Sequence, residues 1–301
     1  MSGIFPLYVV IPNWSLAIDT TACVESLFRA AEGLDVSVIV VDNASTDDSP
    51  AALNAAFGSR VIQLQMQRNL GFAAAVNAGM RYALERGGAG ALILNNDTVV
   101  DPQMLAVLGQ AAEAHPEAGI LCPAIYYMEP ADRVWRLGDR DRRWLPIPRR
   151  IPDREVANDL VEVTYGTGCG MLVRREVIDA IGCFDEHFFM YYEDADYFKR
   201  AARAGYRVFC IPAARMWHKV SASAGQVGVS QVFWRARGQV IFYRKHTHHR
   251  DAALAHGFVA VKTAAMWVRF IARGQRAQAA ALIRGALEGY RIPLAPEARG
   301  G

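Results

Sequence analysis

Short apolar segments alternate with longer segments of helical periodicity from residue 7 to about residue 125. The apolar segments are rich in β-branched residues, are bounded by polar or glycine-containing turns, and lie at residues 7–11, 36–41, 61–64 and 91–94. The segments between them are rich in Ala, Leu and Glu and lie near residues 18–31, 47–57 and 72–86. Buried strands that alternate with helices in this way predict an α/β fold, with a parallel sheet covered by helices on both faces.

The pattern is less regular after residue 100. Asp101 and Pro102 are typical of a helix start, and we predict a helix from there to about residue 114. Residues 126–160 contain many Arg, Asp and Pro residues, which favour loops with a short hairpin. Beyond them we expect a strand pair at 161–173 interrupted by glycines, helices from about 175 and 196, a strand at 206–211, and basic amphipathic helices from about 230.

Polar side chains lie where four of the predicted strands end. In a sheet of this class the ligand binds beyond the carboxyl ends of the strands. Amide and carboxylate groups there can bond the base and ribose of a nucleotide, and Asp97 suits a hard divalent cation that bridges two phosphates. Asp and Asn also favour turns and helix caps, which is the alternative for any one cluster. Four clusters in register favour a nucleotide site; they are 11–14, 41–45, 68–72 and 94–97.

A second concentration of charge follows an aromatic run at residues 188–192. Three carboxylates lie within four residues, at Glu193, Asp194 and Asp196. They repel one another, so such a cluster is expected where the carboxylates bind a cation, act as a base or lie at a helix N-terminus. The aromatic wall could raise the pKa of a carboxylate that acts as general base. The alternative is N-capping of the helix from Asp196. His218, after the strand at 206–211, is a candidate metal ligand, although a lone histidine is usually structural.

Composition excludes several classes of function. The chain has 301 residues, 52% of them hydrophobic, and its net charge of +3 is too small to favour a nucleic-acid partner. Five scattered cysteines without a C-x-x-C pair argue against a disulfide framework or a structural zinc site, and favour a reducing cytoplasm. We see no signal peptide, and no uninterrupted apolar run approaches the roughly 18 residues of a membrane span.

Taken in order, the polar motifs resemble those of family-2 glycosyltransferases, the inverting enzymes of the GT-A fold. They are particularly similar to the bacterial members, including rhamnosyltransferases, that build O-antigen and other surface polysaccharides. The resemblance covers about residues 7–246. Its motifs are Asp-Asn-Ala-Ser-Thr-Asp at 42–47, Asn-Leu-Gly-Phe-Ala at 69–73 with Asn77, Leu-Asn-Asn-Asp at 94–97, Gly-Cys-Phe-Asp-Glu at 182–186, Phe-Met-Tyr-Tyr-Glu-Asp-Ala-Asp at 189–196, Ala-Gly-Tyr-Arg at 204–207, Pro-Ala-Ala-Arg at 212–215, and His218.

The resemblance implies a fold and a domain organisation. The expected fold is a Rossmann-like nucleotide-binding sheet of the GT-A type, flanked by helices and followed by a helical C-terminal extension. The catalytic domain is expected at residues 1–229, with the nucleotide-sugar half at about 1–125 and the acceptor and catalytic-base half at 126–229. Residues 230–301 are expected to form the amphipathic extension.

It also implies roles for single residues. Asn95-Asn96-Asp97 stands at the D-x-D motif of the family, so Asp97 is expected to bind Mg²⁺ or Mn²⁺ together with His218. Asp194, paired with Glu193, is expected to be the general base on the acceptor hydroxyl; a metal neutralises the leaving diphosphate. The residues expected to bind the donor are Pro12, Asn13, Asp42, Asn43, Asn69, Asn95 and Asn96.

The resemblance further implies the substrates. The first expected donor is deoxythymidine-diphosphate (dTDP) rhamnose and the next a uridine-diphosphate (UDP) hexose; the acceptor is a saccharide, free or lipid-linked. Three departures from the family pattern bear on the site. Asn95 replaces the first Asp of D-x-D, Ser15 stands where many members have Asn, and Gly238 follows Arg237 where similar enzymes often have Arg-Asn.

Other functions fit less well. A nucleotidyltransferase usually has a Gly-rich, Lys/Arg-containing loop after the first strand, and residues 11–14 have none. A dinucleotide-dependent oxidoreductase needs its glycine motif at the first helix, whereas the glycines at 166–170 lie between two later strands, as in a tight turn near the acceptor. A non-catalytic sugar-binding module remains an alternative, which the presence of Asp97, Asp194 and His218 disfavours.

The tail from 252 to 290 has a broad apolar face beside basic residues. It contains Leu254, Phe258, Val261, Ala265, Trp267, Val268 and Ile271. Such a helix suits the anionic inner surface of the plasma membrane, where a cytoplasmic enzyme would meet a lipid-linked acceptor. The alternatives are packing on the catalytic domain or on a second copy of the chain as a homodimer.

Overall fold

A mixed β-sheet forms the framework of the first of two units into which the chain divides. Unit 1 consists of Met1–Phe184 and Tyr197–Val220, and unit 2 of Asp185–Asp196 and Ser221–Gly301. The computed structural model of the protein describes residues 3–141, 148–220, 228–247 and 251–294.

The strands lie in unit 1. They are β1 Leu7–Asn13, β2 Val36–Asp42, β3 Val61–Gln65, β4 Gly90–Leu94, β5 Thr98–Val100, β6 Ala118–Tyr127, β7 Val134–Arg136, β8 Asp139–Arg140, β9 Arg149–Arg150, β10 Val161–Val163, β11 Gly170–Arg174 and β12 Arg207–His218. The main sheet has the order β10-β12-β6-β11-β4-β1-β2-β3, with β5 paired to β12 and β7 to β6; β8 and β9 form a separate pair.

Helices cover the sheet and continue to the C-terminal part of the chain. Those that precede residue 185 are α1 Ala17–Ala30, α2 Ser49–Phe57, α3 Phe72–Glu85, α4 Met104–Ala114 and α5 Arg175–Ile181. α6 Glu193–Arg203 has its first turn in unit 2 and its remainder in unit 1. The C-terminal helices are α7 Val229–His246, α8 Ala252–Ala272 and α9 Arg276–Arg291.

Alternate residues of β1 face opposite helical layers. Val9 and its neighbours of the same parity pack with residues of α1, α2 and α4, whereas Tyr8 and Val10 pack with α3. Side chains alternate along a strand, so a strand covered on both faces must be apolar throughout. This explains the unbroken apolar runs in the sequence, and the four strands and three helices expected from them are present, as is the α/β class.

The sheet as a whole is mixed, although the four strands that the sequence predicted to be parallel are parallel. β4, β1, β2 and β3 run parallel, but β11 lies between β4 and β6 and is antiparallel to both. The strands expected at 161–173 are β10 and β11, and they pair with different partners, since β10 lies at the edge beside β12. Within 126–160 the structure contains the end of β6, β7, and the antiparallel pair of β8 and β9.

The sequence pattern missed β6 and shortened β12, both because of a proline. Pro123 interrupts the apolar run of β6, and Pro212 follows the predicted end of β12. In the structure β12 bulges between Ile211 and Arg215, opposite Pro123, and then resumes pairing as far as His218. A bulge accommodates a residue that cannot donate to the ladder. His218 is therefore the last residue of a strand rather than part of the loop after it.

Two helix starts also differ from expectation. α4 begins at Met104, because the Asp101 carboxylate accepts a hydrogen bond from the Gln103 backbone at 2.8 Å and closes a turn before the helix. α6 begins at Glu193, three residues before the expected start. The acidic residues at 193, 194 and 196 therefore occupy its first turn, where a negative charge interacts favourably with the positive end of the helix dipole.

In unit 2, α7, α8 and α9 pack around a small core. Val232 and Ala236 of α7 meet Ala281 and Leu282 of α9, and Met266 of α8 packs against them. Glycines bring the backbones of α7 and α9 together: a Cβ on Gly285 or Gly289 would collide with a carbonyl oxygen of α7.

Candidate active site

A buried carboxylate at the end of β2 joins the ends of three strands. Asp42 is 1% exposed and accepts hydrogen bonds from Asn13 Nδ2 at the end of β1 (2.9 Å) and from Gln65 Nε2 at the end of β3 (2.6 Å). The backbone N–H of Ser45 donates to it at 2.9 Å, and the Ser45 hydroxyl donates to it as well. A buried charge is stable only when donors surround it. Asp42 is thus the organising group of this sheet edge.

Asn13 extends this network to α1 and to the turn after β4. Its Oδ1 accepts from the Thr20 hydroxyl at 2.7 Å and from Asn96 Nδ2 at 3.3 Å. The same Asn96 amide donates to the Thr20 hydroxyl at 3.0 Å. Asn13 is 1% exposed, whereas Pro12 and Asn96 are partly exposed. The buried residues therefore hold partly exposed ones in place.

Asn43 ties the loop after β3 to the same edge. Its Nδ2 donates to Asn69 Oδ1 (3.1 Å) and to the Gly71 carbonyl (3.0 Å), and its Oδ1 accepts from the Leu70 backbone (3.0 Å). Asn43 is 5% exposed and Asn69 is partly exposed. The sequence-predicted donor residues of the first three strands are therefore brought together.

Ser15, which departs from the family pattern, lies in a turn with a left-handed backbone. Ser15 and Leu16 both have left-handed backbones, with φ of 62° and 71°. Asn adopts this region more readily than most residues, so an Asn would also fit this turn. In this chain the Ser15 N–H donates to the Ser45 hydroxyl at 2.7 Å, which holds the strained turn against the Asp42 network.

The turn after β4 presents Asn95, Asn96 and Asp97, all partly exposed. The Asn95 N–H donates to the Cys169 carbonyl at 3.0 Å, within the glycine-rich turn between β10 and β11. The Thr98 hydroxyl closes the turn on the Asn95 carbonyl at 2.6 Å. The backbone of this turn is therefore fixed from two sides.

Asp97 meets His218 because β5 pairs with the end of β12. His218 is in register with Thr98, and the Lys219 N–H donates to the Asp97 carbonyl at 2.9 Å. The side chains then approach to 3.0 Å between His218 Nε2 and Asp97 Oδ1, and are 12% and 23% exposed. The Trp135 ring packs edge-on against the imidazole with centroids 4.9 Å apart.

This pair fits a divalent cation. Adjacent ligands of an octahedral ion with bonds of about 2.1 Å lie about 3.0 Å apart, which is the observed separation. One carboxylate and one imidazole are a donor set that Mn²⁺ accepts, while Mg²⁺ favours the carboxylate. Within the described residues no group of three or more His, Cys, Asp or Glu side chains is placed to hold a metal. A cation held by this pair would take its other ligands from substrate and water.

Unit 2 contains the acidic residues at the start of α6, and their environments differ. Glu193 is 7% exposed, and burial raises its pKa well above the usual value; the charges of Asp194 and Asp196 raise it further. Its Oε2 atom has no hydrogen-bond partner among the described residues. Asp194, in contrast, is partly exposed and accepts from the Ala195 N–H at 2.7 Å.

Asp196 is fully buried and paired by two residues of α7. Lys245 Nζ and His246 Nε2 both lie 2.8 Å from its Oδ1. Lys245 also lies 2.8 Å from Asp185. Burial raises the pKa of Asp185, but the hydrogen bond and charge of Lys245 and the hydrogen bonds from His187 together outweigh it, and the pKa is lowered. Of the three acidic residues, Asp194 is thus the most exposed to solvent.

The residues before α6 are held against α7 by a glycine. Tyr191 and Tyr192 have φ of 69° and 73°, which is strained for non-glycine residues. A Cβ on Gly238 would lie 2.5 Å from the Tyr191 carbonyl oxygen. Gly238, a departure from the family pattern, is therefore the residue that this loop path permits. Arg237 is occupied structurally, since Nε meets Glu288 at 2.8 Å and Nη1 donates to the His187 carbonyl at 2.6 Å.

The model for "Glycosyl transferase family 2" matches residues 8–182, more than half of the chain. This chain belongs to glycosyl transferase family 2. The matched residues include β1 to β4 and the polar edge organised by Asp42. The expectation of a glycosyltransferase from the sequence motifs is confirmed.

Curated relatives of this family-2 glycosyltransferase include rhamnosyltransferases. It is 29% identical over 230 residues to the N-acetylglucosaminyl-diphospho-decaprenol L-rhamnosyltransferase of Mycobacterium tuberculosis, covering 69% of this chain and 74% of the relative. It is 24% identical over 227 residues to the dTDP-rhamnosyl transferase RfbF of Shigella flexneri, covering 69% and 71%.

Solved structures share the fold of this family-2 glycosyltransferase at low identity. A mannosyltransferase of Pyrobaculum calidifontis, in complex with GDP-Man and Mn²⁺, superposes with a TM-score of 0.59 at 18% identity, covering 94% of this chain and 86% of that one. GalNAc-T7, with UDP, GalNAc and Mn²⁺, gives 0.60 at 13% identity, covering 79% of this chain and 47% of that one. The GT-A-type fold expected from the sequence is confirmed.

Several residues of the network were not identified from sequence. Thr20, Gln65 and Thr98 carry no motif of their own, and only their contacts reveal them. Asn77, a member of the sequence motif, has a structural role: its side chain exchanges hydrogen bonds with both backbone groups of Phe184, at 2.8 and 2.9 Å.

The Thr20 hydroxyl provides a test of this network. Thr20→Val keeps the shape but leaves the Asn13 and Asn96 groups without a buried partner, so we expect a loss of about 1–3 kcal/mol in the free energy of unfolding. Affinity for a nucleoside diphosphate should fall with it, as measured by calorimetry. The neighbouring Thr21→Val is the control, because Thr21 is partly exposed and carries no hydrogen bond in the described part of the chain. Equal stability and affinity of the two variants would contradict the role of Thr20.

Proposed function

We propose that this glycosyltransferase transfers L-rhamnose from dTDP-rhamnose to a saccharide acceptor in bacterial surface polysaccharide synthesis, with inversion at the anomeric carbon. The names of the relatives in Mycobacterium tuberculosis and Shigella flexneri support this donor. A UDP-hexose is the second candidate donor. The acceptor is a saccharide, and a lipid-linked one agrees with the name of the mycobacterial relative.

The observation that carries the proposal is the approach of Asp97 and His218, at 3.0 Å, on the same sheet edge as the Asp42 network. In the proposed organisation, residues 1–125 bind the donor, residues 126–229 contribute acceptor binding and the base, and residues 230–301 form the helical extension.

The proposed donor site has two layers. The buried side chains of Asn13, Asp42 and Asn43 are occupied by hydrogen bonds to protein and hold the edge rigid. The more exposed residues lie at the surface of this edge, where the nucleotide would bind, and they are Pro12, Asn69, Asn95 and Asn96. Because these side chains are already ordered, less conformational entropy is lost when the nucleotide binds.

Asp97 and His218 would hold Mg²⁺ or Mn²⁺, which when bound neutralises the charge of the diphosphate leaving group. Asn95, in place of the first Asp of D-x-D, lacks the charge to compete for the cation. Its backbone bond to the Cys169 carbonyl instead fixes the turn that aims Asp97.

Asp194 is proposed as the general base. It takes the proton of the acceptor hydroxyl as that oxygen bonds the anomeric carbon, while the bond from this carbon to the diphosphate oxygen breaks. Its partial exposure supports this role over Glu193, which is buried with a raised pKa, and over Asp196, which is held by Lys245 and His246.

The donor is tested by release of the nucleoside diphosphate from a panel of nucleotide sugars supplied with a saccharide acceptor. We expect turnover of dTDP-rhamnose to exceed that of every UDP-hexose in the panel. Faster turnover of a UDP-hexose would overturn the proposed donor and leave the family assignment intact.

Metal dependence is tested by removing the cation and its ligand separately. We expect transfer to stop in excess chelator and to return with Mg²⁺ or Mn²⁺. Asp97→Asn should weaken nucleoside-diphosphate affinity in the presence of Mn²⁺ but not in its absence, as calorimetry would measure. Asp101→Asn is the matched control, since that carboxylate lies close in sequence and its recorded contact is with the Gln103 N–H. Full turnover with negligible metal would show that Asp97 and His218 do not hold a cation that the reaction requires.

The base is tested with Asp194→Asn. Transfer should fall by roughly 10²–10⁴-fold, the usual contribution of a positioned base. Nucleotide affinity should be nearly unchanged, because the base acts on the acceptor.

The two neighbouring acids are controls for this variant. Glu193→Gln should retain most activity, since Glu193 is buried and is not the proposed base, whereas Asp196→Asn should lower stability by removing a buried partner of Lys245. Near-normal transfer by Asp194→Asn, together with its loss in Glu193→Gln, would move the assignment to Glu193.

A further inference from the structure

α8 has a long apolar face that unit 2 leaves uncovered. Its large apolar residues are among the most exposed of the described chain: Leu254 (69%), Val261 (71%), Val268 (59%), Ile271 (43%) and Trp267 (41%). The helix is also long and apolar enough to cross a membrane by length and composition, yet only 11% of its apolar window is buried. Exposed apolar surface of this extent costs solubility and marks a binding face.

The uncovered face has no polar interruption. Leu254, Val261 and Val268 follow one another at seven-residue intervals, which places them on one side of a helix. The positions that share this side are also apolar or glycine, namely Ala253, Gly257, Ala260, Ala264, Ala265 and Ala272. They are all exposed. The face thus extends over the full 21 residues of α8.

The opposite side of α8 is attached to α7 and α9. Ala255 and Val259 are buried, and Met266 and Phe270 pack on the core of unit 2. Near its start, Phe258 contacts Tyr243 of α7 with ring centroids 6.0 Å apart, and His256 Nδ1 lies 3.0 Å from the Tyr290 hydroxyl of α9. Unit 2 therefore holds α8 along its length.

Basic residues are frequent in α8 and α9. The segment from α8 to the end of α9 has six Lys or Arg and one acid, Glu288, whereas the whole chain has a net charge of only +3. The remainder of the chain is therefore slightly acidic. The five arginines of this segment are exposed: Arg269 and Arg273 lie at the end of α8, and Arg276, Arg284 and Arg291 lie on α9.

We propose that the exposed face of α8 docks on an anionic lipid bilayer, with the helix in the plane of the interface and these arginines at the headgroups. An apolar face rimmed by cations is the pattern of interfacial helices. A second copy of the chain is disfavoured, because self-association would bring two strongly basic segments together. A membrane-spanning orientation of α8 is disfavoured too. α9 is packed against α8 and would enter the hydrocarbon with it, together with Arg276, Arg284 and Glu288.

The test is co-sedimentation of the whole protein with vesicles of phosphatidylcholine alone, or with about 30% phosphatidylglycerol, an anionic lipid. We expect binding to the anionic vesicles, at least about tenfold weaker binding to the neutral ones, and loss at high salt. Val261→Asp with Val268→Asp should abolish binding. Each of Arg269→Ala and Arg273→Ala should weaken it about fivefold, the effect of one charge near the surface.

Ile18→Asp is the matched control, since Ile18 is an equally exposed apolar residue (86%) on a helix of unit 1. It should bind like the parent chain, and circular dichroism should be unchanged in all variants. Absence of vesicle binding, or a dimer that the Val261→Asp and Val268→Asp change dissociates in sedimentation velocity, would overturn the proposal. Equal binding to both vesicles would remove the role of charge, and resistance to carbonate extraction would indicate a span instead.

Discussion

One buried carboxylate governs the polar edge of the sheet. Asp42 is withdrawn from water, and donors on β1, β3 and its own loop satisfy its carboxyl oxygens. Asn13 is oriented by this contact and in turn orients Thr20 and Asn96. A charge in an apolar surrounding tolerates few arrangements of its donors, so the network has one low-energy geometry. The strands supply the rigid frame, and Asp42 fixes their ends relative to one another within unit 1.

Much of this frame was accessible from sequence, for a physical reason. Strands buried on both faces have to be apolar at every position, so β1, β4 and the part of β2 from Val38 to Val41 stand out as uninterrupted runs. The polar residues at their ends were found by position, since the carboxyl ends of parallel strands converge. The meeting of Asp97 with His218 could be expected only from the family resemblance, because about 120 residues of sequence lie between them.

What sequence did not reveal depended on tertiary contacts. Pro123 and Pro212 read locally as strand ends, yet each is accommodated where β12 bulges opposite β6. The differences among Glu193, Asp194 and Asp196 are equally invisible to spacing. One is buried without a partner for Oε2, one is partly exposed, and one is paired with Lys245 and His246 of a helix some 50 residues later. The three acidic residues therefore differ in burial and in ion pairing, which residue type alone does not show.

The close approach of Gly238 to the Tyr191 carbonyl has a consequence for the evolution of the family. The nearest atom there is the backbone oxygen of Tyr191, so side-chain rotation alone cannot absorb a change in size. An asparagine at this position requires a different route for the two tyrosines that precede the acidic turn. Residue 238 and residues 191–192 should therefore covary among relatives, and neither can be transplanted into this chain without the other.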